Sequence, residues 1–178
     1  MRLICLWLCL AVVAWAEGAR DWVVTISDLK GKLPEIYRYN RRFEKFEEKT
    51  VWTTKFYRYE YFDRRHFLSL SCHCTRHPSS FRAQVARAPV DLAFSKNKTF
   101  TREPSVAAGE ESACYRFGPE AGWIFTFREK KVEGTLILIG AGMKAKDVDA
   151  VADAWLARIR TQTGKKPATS KGFWFLPK

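Results

Sequence analysis

Acidic residues are scarce in this chain: nineteen Asp and Glu stand against thirty-one Lys and Arg, a net charge of +12. Such an imbalance directs attention to anionic partners and names none of them. Long apolar runs are also lacking. After the first sixteen residues no segment is long and apolar enough to span a bilayer, which takes about 20 residues, so no transmembrane segment is expected in the mature chain. The usual catalytic signatures are missing too. There is no G-x-S-x-G elbow, no H-E-x-x-H pair and no P-loop, which removes the commoner hydrolase and nucleotide-binding readings. No cofactor is implied. Histidine is the rarest chemistry-bearing residue, with three copies, all between positions 66 and 77.

What is present begins with a leader. Arg2 precedes an unbroken apolar run, Leu3 to Val13, and Ala14-Trp15-Ala16 forms a small-x-small cleavage site before polar Glu17-Gly18. That order is the signature of a secretory signal peptide. We therefore expect residues 1–16 to be a signal peptide, residues 17–163 a single α+β domain, and residues 164–178 a basic tail with an apolar terminus, Phe173-Trp174-Phe175-Leu176. The product is expected to be secreted or periplasmic. About 160 residues suit one core.

The patterning predicts an antiparallel β-sheet of about five to seven strands with a C-terminal helix packed on one face. Asp21 to Ile26 reads as a short strand, and Phe43 and Phe46 fit one face of a short helix within Glu35 to Lys49. Val51 to Phe62 is rich in aromatic and β-branched residues, as strands are. It pairs as a hairpin with His66 to Cys74, whose Leu68, Leu70, Cys72 and Cys74 share a face. Phe81 to Arg87 alternates and reads as a strand ended by Pro89, and Lys96 to Glu111 reads as a loop. Ala113 to Phe117 is a further strand. Trp123 to Arg128 and Thr135 to Ile139 form a hairpin around a charged turn ending at Gly134. Val148, Val151, Trp155, Leu156 and Ile159 recur at helical spacing behind Asp147, a helix-start residue. Strands followed by a helix indicate α+β rather than α/β. The Gly140-x-Gly142-x-x-Ala145 run has Rossmann spacing, but no second parallel strand follows it, so it reads as a turn.

Three constellations carry candidate chemistry. The segment His66 to His77 contains Cys72, His73 and Cys74, and thiolate and imidazole suit zinc or copper. The metal candidates are His66, Cys72, Cys74 and His77. In an oxidising compartment, however, cysteines pair. The expected disulfide is Cys74–Cys114, or Cys72–Cys114, with one thiol left over. The third constellation is the tyrosine face Tyr57, Tyr59 and Tyr61, bordered by Lys55, Arg58, Arg64 and Arg65. Aromatic rings among cations can stack sugars and hold phosphates, although such a face is also ordinary sheet core. Asn97-Lys98-Thr99 fits a glycosylation sequon.

These features favour an exported, non-catalytic binding or accessory protein of the cell envelope or extracellular space. Its partner would be an anionic envelope component, a polysaccharide or an envelope protein, with nucleic acid disfavoured. The alternatives are a metal-binding or thiol-redox protein using residues 66–77, and a small secreted hydrolase.

Overall fold

The computed structural model describes residues 18, 20–29, 43–64, 68–103, 109–118, 122–140 and 144–164. The expected signal peptide at residues 1–16, the tail beyond Gly164, Arg65 and His66 lie outside these residues.

Seven strands form one antiparallel sheet: β1 (Glu44–Val51), β2 (Thr54–Asp63), β3 (Leu68–Arg76), β4 (Phe100–Glu103), β5 (Glu111–Phe117), β6 (Gly122–Glu129) and β7 (Val132–Ile139). Their order is β1-β2-β3-β7-β6-β5-β4. Helix α1 (Ser80–Lys96) links β3 to β4, and helix α2 (Ala145–Gly164) follows β7. The expected α+β sheet with a C-terminal helix on one face is the observed fold.

The front face is the main core. Tyr57, Tyr59, Tyr61, Leu68, Leu70, Cys72, Cys74, Phe125, Leu136 and Leu138 are buried there under α2. The predicted stripe Val148, Val151, Trp155, Leu156 and Ile159 is the buried side of that helix. Each such side chain contributes roughly 2 kcal/mol on burial. Asp147 Oδ2 accepts the Lys144 N–H at 3.1 Å, closing the first turn of the helix. Gly134 lies inside β7 rather than at the turn, which is Lys130-Lys131; a β-carbon there would overlap the rings of Phe127 and Trp155.

Residues 21–29 also lie on the front face, beside α2. Asp21 to Ile26 is expected as a strand, but the segment crosses the face of the sheet instead of an edge, where no ladder partner exists. Only Ile26–Leu29 makes a turn of 3-10 helix. Trp22 stacks on Tyr57, with centroids 5.3 Å apart. The Trp155 indole donates to the Trp22 carbonyl at 3.0 Å. Val24 N–H donates to Cys72 Sγ, and Ile26 N–H to the Tyr59 hydroxyl, each at 3.1 Å.

Among the described residues the back face is covered over only part of its width. Helix α1 packs on β4 to β7, where Ala113, Tyr115 and Ile124 form a second cluster with Phe94, Phe100 and Ile137. Phe81 to Arg87 belongs to this helix and is not a strand. Ser79 caps it by accepting the Arg82 N–H. Its inward spacing is Ala83, Arg87, Val90 and Phe94, helical in period but broken by a charge. Three other expectations change. Phe46 sits in edge strand β1 rather than a helix, and Val51 to Phe62 is divided by a tight turn at Trp52-Thr53. Residues 100–103 of the expected loop form β4.

Candidate functional site

On the back face, β1, β2 and β3 have no helix above them among the described residues. Register places Glu47, Arg58, His73, Thr135 and Thr126 in one row across five strands, each opposite the next. The row is polar throughout. It runs from the open half of the face to the flank of α1, where Arg87 closes it.

Arg87 is 3% exposed. Its Nη2 donates to Thr126 Oγ1 at 3.1 Å and its Nε to Asp91 Oδ2 at 2.9 Å. Thr126 in turn donates to Asp91 Oδ1 at 3.2 Å. A buried guanidinium is tolerated because its charge is matched within the same turn of helix. At the other end of the row, Arg58 is held by Glu47 and Glu60. His73 lies between, with Nε2 2.9 Å from Ser71 Oγ. Burial, and then the Arg58 charge, hold its pKa below the ordinary imidazole value of 6.5, so it is neutral at pH 7.

A cleft of about 170 Å3 opens between α1 and the sheet, lined by His73, Thr75, Arg87, Val90, Glu133 and Thr135 among others. A shallower hollow of about 310 Å3 continues it over β1 to β3, past Lys49, Phe56 and Arg58. His73 and Thr75 line both, so the two form one groove. Phe56 and Phe62 stand on the open side, 40% and 50% exposed.

The sequence-predicted sites fall differently. Tyr57, Tyr59 and Tyr61 are buried in the front-face core, so they do not form a ligand surface. Each sits opposite Cys74, Cys72 or Leu70 on β3, and burial pushes the Tyr57 phenol up to about 12. The Tyr59 hydroxyl meets its polar requirement internally by donating to Glu44 Oε1 at 2.9 Å. Lys55 lies near Glu48, Arg58 points to the opposite face, and Arg64 is exposed beyond β2.

The expected Cys114 disulfide is not present. Cys72, Cys74 and Cys114 are all buried free thiols. Cys72 and Cys114 share a front-face row, with Leu136 and Phe125 between them. Three strand spacings come to roughly 14 Å, whereas a disulfide needs its α-carbons within about 7 Å. Burial raises all three thiol pKa values, that of Cys114 to about 12. The metal candidates are divided by the sheet. Cys72 and Cys74 face the front core, while the His77 imidazole lies 2.9 Å from Glu133 Oε1 beyond the end of β3. Among the described residues no group of three or more His, Cys, Asp or Glu is placed to hold a metal ion.

The groove itself was missed by sequence reasoning. Its signal was the polar side of β3, Ser71, His73 and Thr75, which alternation separates from the cysteines. Ser71 and His73 are its nearest approach to a nucleophile–base pair. Ser71 is in mid-strand, between β2 and β7. Amides in such ladders are not free to converge on an oxyanion.

Among the described residues no helix is long and apolar enough to cross a membrane. No protein-family model matches the chain, and neither does any curated protein or solved structure.

Proposed function

We propose that this chain is an exported, non-catalytic binding protein of the cell envelope or extracellular space, and that its groove takes a neutral, hydroxyl-rich ligand of the saccharide class. The observation that carries this reading is the polar row Glu47, Arg58, His73, Thr135 and Thr126. Its cations are already matched by carboxylates: Arg58 by Glu47 and Glu60, Arg87 by Asp91. With both arginines so matched, and Lys49 the one further lining cation among the described residues, the groove offers little to a free anion. It does offer adjacent donors and acceptors suited to vicinal hydroxyls. The exposed Phe56 ring supplies a flat apolar surface for the C–H face of a sugar. Export rests on the leader at residues 1–16.

The excess positive charge lies elsewhere. Twenty of the thirty-one basic residues and sixteen of the nineteen acidic ones are described, a net of +4. The remaining +8 belongs to segments outside, chiefly 30–42 and 165–178. The anionic and the saccharide partners considered above therefore address different parts of the chain.

The test is calorimetric titration with a panel of neutral and acidic oligosaccharides at low and high salt. Binding of a neutral member that is insensitive to salt and weakened about tenfold by His73→Ala or Thr135→Val supports the reading. Binding confined to acidic members and abolished by salt would overturn it.

A further inference from the structure

One end of the sheet differs from the rest of the surface. Val51 and Thr54 close the β1–β2 ladder there, and the row Lys55, Arg76, Val132 and Glu129 continues it across the sheet. Beyond that row stand the turns Trp52-Thr53 and Lys130-Lys131, and the start of α1 at Ser80.

Trp52 sits at the tip of the first turn with φ 57° and is 94% exposed. The two-residue turn requires that left-handed backbone, as at Lys130 in the β6–β7 turn with φ 53°, but such positions favour Asn or Gly over a bulky ring. A solvated indole gains nothing from burial. Phe81, in the first turn of α1, is 72% exposed. At the same end of the sheet are Lys55 and Arg76 in its last row, the latter over the Trp22 ring, Arg82 next to Phe81, and Lys130-Lys131 in the β6–β7 turn. The nearby acids are engaged: Glu48 by Lys55, Glu110 by Arg128, Glu129 by Arg160 and Glu133 by His77.

We propose that this end docks on an anionic lipid surface, with Trp52 and Phe81 entering the headgroup region and the surrounding lysines and arginines contacting lipid phosphates. Indole rings favour the boundary between headgroups and acyl chains. Cations close to an anionic leaflet are attracted to its phosphates, and salt weakens that attraction. The tip is convex and strained, which suits insertion better than recognition of a sugar, for which the groove on the back face is formed. Helix α2 also ends here: Arg160 reaches Glu129, and Gln162 donates to Asp21 at 2.8 Å. The proposal needs nothing from the groove.

The experiment is co-sedimentation of the purified protein with vesicles of phosphatidylcholine alone and of phosphatidylcholine with phosphatidylglycerol. The wild-type chain should bind the second kind and release at high salt. Trp52→Gly should weaken binding about tenfold while leaving the melting temperature unchanged or raised, because glycine suits that backbone. The double variant Lys130→Glu, Lys131→Glu should weaken it as well. Equal binding by wild type and Trp52→Gly overturns the proposal, as does failure of the wild type to bind either vesicle. Salt-sensitive retention on heparin that ignores Trp52, without vesicle binding, would assign this end to an acidic polysaccharide and also overturns it.

Discussion

Cys72 and Cys114 occupy the same transverse row of the sheet, separated by Leu136 and Phe125. The relationship assigns both thiols to the core and neither to a cross-link. All three described cysteines are buried, with their thiolates disfavoured by burial. The folded protein should therefore resist alkylation at Cys72, Cys74 and Cys114, and all three should label rapidly in denaturant. Mass spectrometry after pulsed iodoacetamide checks this. Rapid labelling of the folded chain, or a cross-linked peptide pair containing Cys114, would contradict it.

Gly134 marks a close approach of sheet and helix α2. With Phe127 and Trp155 packed edge to face at 4.7 Å, no space remains for a methyl group. Gly134→Ala should cost about 1–3 kcal/mol through overpacking, despite the better strand propensity of alanine. Denaturant unfolding measures it. An unchanged midpoint would show that the packing is looser than described.

Arg87 supports the groove from beneath α1. Arg87→Met keeps the apolar stem and removes the charge, leaving Asp91 and Thr126 without their shared partner. Loss of these charge-assisted bonds should cost about 2 kcal/mol, moderated by the partial exposure of Asp91. The same variant should lower ligand affinity in the groove, whereas Arg82→Met, one turn earlier and exposed, should change neither.

His73 gives stability a pH dependence of known sign. Its native pKa is depressed, chiefly by burial and then by Arg58. Above 6.5 the ring is neutral in both folded and unfolded chains. As pH falls below 6.5 the unfolded chain takes up the proton more readily, so stability declines until pH passes the lower native value. Glu111 acts in a separate, more acidic window. Hydrogen bonding to Arg128 lowers its pKa, so its contribution is lost only as pH falls below 4.5. Melting temperatures of wild type and His73→Gln between about pH 7 and about pH 5 isolate the first effect. The variant should show the shallower slope.

Regular periodicity made much of the fold legible. The helix stripe from Val148 to Ile159 and the paired runs around Cys72 and Phe125 follow from spacing alone. Three features did not. Alternation divides Tyr57, Tyr59 and Tyr61 from Phe56 and Phe62, but it does not say which side is inside. Residues 21–29 decide that, and they carry no periodic signal. Helix α1 was hidden because Phe81, Ala83 and Val85 mimic a strand, while its true stripe, Ala83, Arg87, Val90 and Phe94, carries a buried arginine. Edge strand β1 alternates mostly in charge, a common protection of sheet edges, which weakens its apolar signature. The groove escaped for a topological reason: strand order brings β3 beside β7, and nothing local to His73 announces Thr135 as its neighbour.

The central claim is that the uncovered polar row binds a neutral saccharide at His73. The most direct measurement is the NMR shift of the His73 ring protons during titration with neutral oligosaccharides. A saturable shift at His73, with a smaller change at His77 and none in Thr135→Val at equal ligand concentration, is the predicted result. A His73 signal indifferent to every member of the panel, or one that moves only with acidic sugars at low salt, would contradict it.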